Sequence, residues 1–391
     1  MNLIPIPRSK LLLGMALPWS VRDKNGNLLL SMGQILKTQH QLEQLLQLGA
    51  CVDVVDIKAD ADRVLLSRSQ KADVPLSLLL LWDQTPDILQ TLLTQPERKT
   101  DFPSQVDMLA VHILELHDHN VEFSIYRAVR QEKYQASNYG YAHAVHTAML
   151  CILVTRHLGW PPERVMSLTK AALTMNMTIV KLQGQMAAQS TPLTAGQRAE
   201  ILAHPEQCVA LLQQLGVTDE DWLAAIAQHH EHLNGTGYPA RRTDITEMAT
   251  VLHVTDVLMA KISPRVLRPA LSIQEAIRQL YREDNGGAVS TAMIKTFGIY
   301  PPGDFVKLAS GELGVVVERT ANAKAPIVAA ITDTAGRPVT ITLRRDTGQA
   351  AFAVTGVVAD KTMLNRLMPE RLYGFAISNP LRLPFDGFLM G

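Results

Sequence analysis

Gln228-His229-His230-Glu231-His232-Leu233-Asn234-Gly235-Thr236-Gly237-Tyr238-Pro239 is the stretch from which the rest of the chain is read. Three imidazoles and a carboxylate crowd the end of a predicted helix, and the two glycines and the proline that follow impose a tight, irregular loop. His229 and His230 are adjacent, so on a helix they point about 100° apart. Both serve one cluster only where that cluster lies between their directions, and ligands from other helices must complete it.

Around this stretch the chain is long and electrically balanced. Its 391 residues are too many for one ordinary core, and about two to three domains are expected. The 37 basic and 37 acidic residues cancel. No global field then recruits nucleic acid or an anionic membrane, and an anionic ligand must be captured locally. Cys51, Cys151 and Cys208 lie far apart without a CxxC pair, which argues against a disulfide framework and a thiolate zinc site and fits a reducing cytoplasm. The apolar run Leu11 to Trp19 lacks a small-residue cleavage site. Leu78 to Trp82 is far shorter than the ~20 residues that span a bilayer. A soluble, cytoplasmic protein without membrane insertion is expected.

The predicted fold is mainly α, a central helical domain flanked by a small N-terminal α/β module and a small C-terminal β-rich module. Residues 1–60 form the strand-rich module: Asp23-Lys24-Asn25-Gly26-Asn27 before Leu28-Leu29-Leu30 is a hairpin signal, and Thr38 to Leu48 reads as an amphipathic helix before a strand from Cys51 to Ile57. Residues 61–130, with Pro75, Pro86 and Pro96, read as a helical linker or packing segment. His112, His117 and His119 within it are taken as solvent-facing or locally bonded. Residues 131–297 form the helical domain: a helix from His143 to Leu158 closes at Gly159, Thr194 and Gln197 make a capping box, and Ser272 and Glu275 repeat it. From 298 to 391 the runs Val315-Val316-Val317, Ile327 to Ile331 and Val339 to Leu343 predict strands, followed by a tail without readable periodicity.

The stretch 228–239 resembles the HHExxDGxGYP run of the HD-GYP proteins, helical HD-type phosphohydrolases that act as metal-dependent phosphodiesterases on the bacterial messenger cyclic di-GMP. Its double histidine and its Gly235, Gly237, Tyr238 and Pro239 match that run, while Asn234 stands where the family has Asp. Under the resemblance, His143, His204, His229, His230 and Asp256 match metal-ligand positions. Met175, Asn176 and Ile179 replace the family's His, Asp and Lys, so the defining pair is absent. The family's aspartate bridges two metals, which Asn176 cannot do as an anion, and a thioether is a poor ligand for iron, manganese or zinc. Tyr139 stands where members with a third metal carry Glu.

A degenerate member of the family is therefore expected. It would hold one divalent ion (iron, manganese or zinc) on His204, His229 and His230, or none. Were two ions bound, Glu231 would be the first candidate for the missing carboxylate. His204 and Asp256, read singly, would be a helix cap or a surface residue. Arg265 and Arg268 match family arginines and are candidates, with Tyr238, for binding the ligand. Arg241 and Arg242 are weighed against solvated surface charges. The preferred function is a catalytically impaired regulator that responds to cyclic di-GMP or binds another signalling protein. The alternative is a metal-dependent cyclic di-GMP phosphodiesterase with weak residual activity.

Overall fold

A computed structural model describes residues 3–6, 11, 17, 19–31, 34, 36, 39–56, 78–130, 136–358 and 369–373. Compactness divides the chain into two units, Met1–Pro75 and Leu76–Gly391.

In the first unit, strands β1 (Leu3–Pro5), β2 (Val21–Arg22), β3 (Leu28–Leu30) and β4 (Cys51–Asp53) form an antiparallel sheet in the order β1-β4-β2-β3. The expected hairpin closes because the Asp23 carboxylate accepts the backbone N–H groups of Asn25 and Asn27. Leu42 and Leu45 of the helix Gln39–Gln47 join Val21, Val52 and Trp19 in a small core. The strand predicted to reach Ile57 ends at Asp53, where the chain turns helical, and Ile57 lies outside the described residues.

The second unit is a helical bundle around the helix Ala136–His157, in which every residue from Tyr139 to Thr155 is buried. A helix enclosed on all sides must be largely apolar, so the histidines and threonines it does contain need local partners. Thr147 and Thr155 bond back to the carbonyls of His143 and Cys151. The capping box at Thr194 and Gln197 opens the helix Ala195–Gln214, and Ser272 caps Ile273–Glu283 by accepting the Glu275 N–H.

Of the two readings of the segment 61–130, linker or packing segment, its described helices fit the second. Helices Leu78–Leu93, Phe102–His119 and Val121–Val129 place Leu89, Val106, Leu109, Ile113 and Phe123 in one apolar cluster with the central helix. Pro86, expected to mark a turn, lies buried inside the first of these helices. His112 and His117 are also enclosed, at 1% and 2% exposure. The solvent-facing alternative thus fails for both, because the face that carries them turns inward with Leu109 and Ile113. His119, one residue before the helix cap Asn120, stays exposed.

After Gly298 the chain forms β5 (Phe305–Leu308), β6 (Leu313–Glu318), β7 (Ile327–Thr332), β8 (Pro338–Asp346) and β9 (Val354–Val357), an antiparallel sheet ordered β8-β7-β6-β5-β9. One face (Phe305, Val315, Val317, Ala329, Ile331) belongs to the apolar cluster of the bundle, and the other (Val306, Leu308, Val316, Val328) forms its own small core. Arg319, the residue after β6, joins the layers: its guanidinium and backbone N–H donate to the Glu122 carboxylate, and it also donates to the Thr296 carbonyl. The tail from Asp360 lies outside the described residues except for the short helix Pro369–Tyr373. No described helix is long and apolar enough to cross a membrane.

Candidate metal centre and ligand cleft

The helix Glu220–Gln228 ends at its C-cap His229, and the chain then enters the loop that the sequence marks. That loop is held by Glu231, which is buried and accepts the backbone N–H groups of Ala240 (2.6 Å) and Arg242 (3.0 Å). Gly235 adopts φ 71°, a conformation open chiefly to glycine. At Gly237 an added Cβ would lie 2.5 Å from Glu231 Cα, from the His230 carbonyl oxygen and from the His232 nitrogen, so no side chain fits. Tyr238, fixed by its N–H to the His230 carbonyl, lays its ring over the His230 imidazole at 4.6 Å between centroids. The loop's role is therefore to set His230 and Tyr238 side by side.

His204, His229 and His230 converge, with ligand atoms all within 4.8 Å of one another. His204 donates from Nδ1 to the Ile201 carbonyl (2.6 Å) and His229 from Nδ1 to the Ile226 carbonyl (2.7 Å). Those carbonyls fix both tautomers and leave two Nε2 lone pairs facing each other at 3.2 Å. Two facing lone pairs repel unless a cation lies against them. Burial lowers the basicity of all three rings, His204 to about 3, where the charge of His229 adds to the shift. Neutral imidazoles are the form that ligates, so this donor set fits a single divalent ion. When bound, such an ion polarises a phosphoryl oxygen and acidifies a coordinated water.

The remaining expected ligands form a separate pair. His143 Nε2 lies 2.7 Å from Asp256 Oδ1. Burial opposes ionisation of Asp256, yet the His143 hydrogen bond and the neighbouring imidazoles hold its carboxyl below the ordinary carboxylate range.

His143, Asn176, Ile179, His204, His230, Tyr238, Asp256, Arg265 and Arg268 all line one cleft of about 380 Å³. His229 lies fully buried among them, and Gly235, Gly237 and Pro239 shape the loop without lining the cleft. Met175 packs into the apolar core, so its thioether is no ligand there. Glu231 is committed to the loop and does not line the cleft. Arg241 and Arg242 are exposed and outside it, Arg242 being paired with Asp244. The surface-charge alternative thus holds for both.

Arg265 donates from Nε to the Tyr139 hydroxyl at 3.0 Å, Arg268 donates to the Ala260 carbonyl, and the two arginines exchange backbone hydrogen bonds. Tyr139 therefore props a guanidinium at the cleft. The cleft also contains Gln183 and Met186, which sequence reasoning passed over. Their spacing from Ile179, four and seven residues along the helix Val180–Ala188, is that of one helix face and carried the signal.

The helical segment is similar in sequence to known proteins. Residues 121–286 match the HD domain family. Over 189 residues, 47% of this chain, the sequence is 30% identical to the cyclic di-GMP phosphodiesterase PA4108 of Pseudomonas aeruginosa, of which the match covers 45%. The chain thus spans less than half the length of that relative. Among solved structures, Bd1817, an HDG"Y"P protein from Bdellovibrio bacteriovorus, aligns at 16% identity and a TM-score of 0.48, over 75% of this chain and 99% of that one. The helical segment is thus similar to HD domains, and the loop at 235–239 resembles that of the HD-GYP proteins.

Proposed function

We propose that the chain is a catalytically impaired HD-GYP regulator that responds to cyclic di-GMP or binds another signalling protein through its former active site. The carrying observation is that Asp256 is the only carboxylate lining the cleft among the described residues, and it is engaged by His143. A binuclear centre clamps both sides of an in-line phosphoryl displacement and needs a bridging anion. Asn176 offers a neutral carboxamide instead, and Ile179 puts an apolar side chain in the cleft where a cation would steady developing phosphate charge. Arg265 and Arg268 retain forks suited to phosphate, and the relative acting on cyclic di-GMP makes that dinucleotide the first ligand to try.

The test is an assay of manganese- or iron-loaded protein with cyclic di-GMP and separation of products. Negligible hydrolysis is expected. Turnover of ~1 s⁻¹ or faster, abolished by His229→Ala, would sink this reading. The intact trio His204, His229 and His230 favours a second reading, a weak metal-dependent phosphodiesterase. Slow turnover that vanishes on chelation and in His204→Ala would select it.

A further inference from the structure

His229 and His230 are neighbours in the chain, and on a regular helix their side chains would diverge by about 100°. Their imidazole centroids nevertheless lie 4.0 Å apart. The peptide unit between them governs this, because its plane sets ψ of His229 and φ of His230, the soft backbone dihedrals that relate the two Cβ directions. His229 has φ −66° and ψ −10°. The unit is thus turned by about 30° from the helical ψ of about −42°.

A side chain from another helix holds that unit. The His229 carbonyl lies at the C-cap, where a helix runs out of its own donors. It accepts a hydrogen from His253 Nδ1 at 2.7 Å. A carbonyl only accepts, so Nδ1 of His253 carries the proton. The carbonyls on either side are taken by backbone donors of the loop, Gln228 by the Glu231 N–H at 2.9 Å and His230 by the Tyr238 N–H at 3.1 Å. Of the three, the one between the paired ligands is held by a side chain. His253 sits on Glu247–Ile262 three residues before Asp256, which engages His143. The same helix is fixed to the end of Glu220–Gln228 at a second point, where the Thr246 N–H donates to Gln228 Oε1 at 2.8 Å.

We infer that His253 is a positioning residue of the metal centre: it pins the peptide between His229 and His230 and so aims two adjacent imidazoles at the place that His204 completes. This role rests on the reading of His204, His229 and His230 as a metal centre. It is separate from recognition of any ligand in the cleft, which His253 does not line.

The experiment is cobalt(II) titration of the full chain after chelator treatment, followed by visible absorption, since cobalt(II) accepts imidazole donors and its spectrum reports the arrangement of its ligands. Wild type is compared with His253→Asn, His253→Leu and His253→Ala, and the melting temperature of each metal-free protein confirms that it is folded. Asparagine places an amide N–H close to where Nδ1 stood, whereas leucine has nearly the shape of asparagine without the donor. Wild type and His253→Asn should bind cobalt(II) within about threefold of each other and share one band shape. His253→Leu should bind at least about tenfold more weakly with altered bands, the scale of losing an outer partner of a ligand. His253→Ala should behave likewise, and it decides if the leucine variant misfolds. The role is overturned if the folded leucine or alanine variant binds as wild type does with unchanged bands. It is equally overturned if His253→Asn is as impaired as His253→Leu, because His253 would then act by packing. Wild type that takes up no cobalt(II) would overturn the metal centre and this role together. Cobalt(II) binding alongside rapid hydrolysis of cyclic di-GMP would overturn the impaired-regulator reading and leave the role of His253 standing.

Discussion

His143 and Asp256, 113 residues apart in the chain, meet Nε2 to Oδ1 at 2.7 Å in the lining of the cleft. The contact ties the central helix Ala136–His157 to Glu247–Ile262. It also engages the one carboxylate that lines the cleft among the described residues, which leaves the three-imidazole cluster as the candidate place for an ion.

One divalent ion per chain is therefore expected in protein purified without chelators. Elemental analysis should find about one equivalent, and His204→Ala and His229→Ala should each reduce it to background. Two equivalents would contradict the division of the site into an imidazole trio and a closed His143–Asp256 pair.

The loop should tolerate nothing larger than glycine at 237. Gly237→Ala drives a Cβ to 2.5 Å from three backbone atoms, and a loss of at least about 2 kcal/mol is expected. Gly196→Ala is the control: its Cβ would meet only Thr194 Oγ1 at 4.0 Å, and it lies in the first turn of a helix. That change should stabilise by up to about 1 kcal/mol. Urea unfolding of both variants checks the contrast, and equal effects would refute it.

Stability should fall with acid well before carboxylates titrate. Burial lowers His112 to about 4 and His117 and His146 to about 3, with nearby arginine charge adding to the shift at His117 and His146. The unfolded chain takes up protons near pH 6.5 and the folded chain does not. The stabilisation from neutral burial is thus complete above that pH and is lost progressively down to the folded values. Each ring contributes a slope of up to about 1.4 kcal/mol per pH unit in this window. Unfolding free energies at pH 7 and 5 should show the fall, and His117→Gln should make it shallower. A flat profile would mean that these rings are not enclosed.

The Glu312 carboxylate, whose side chain is 4% exposed, is gripped by Arg345 at 2.7 Å. Arg345 holds its carboxyl below the usual range against the opposing effect of burial. Arg345→Ala should cost about 3 kcal/mol at neutral pH by stranding that charge. Because the folded value is lowered, the contribution is present above the ordinary carboxylate range and disappears as pH falls through the folded value. Arg345→Ala with Glu312→Gln should recover much of the loss in a denaturant titration.

Local signals were the readable ones. Thr194 and Gln197 bond within one turn, and Asp23 folds its hairpin through neighbours, so spacing alone declares both. Prolines misled in the segment 61–130, where Pro86 sits inside a helix whose leucines have a core to join. A tertiary partner outweighed the local penalty there. Within the site, His204, His229 and His230 could be grouped only through resemblance, since nothing local in His204 declares its partners. Gln183 was missed because an amide on a helix face normally reads as solvated. Its oxygen is instead buried beside Gly140 of the central helix, a neighbour 43 residues away in sequence.

The clamp of Arg319 on Glu122 and Thr296, laid over a sheet face that shares its apolar contacts with the bundle, bears on how the molecule comes apart. A strand module docked through a polar, separable surface would melt independently of the helices. Here, loss of the sheet bares Phe305, Val315 and Ile331 and at the same moment strips the bundle of its cover. The helical and strand parts of the Leu76–Gly391 unit should therefore unfold in a single cooperative transition, and a cut near Gly298 should destabilise both sides of it.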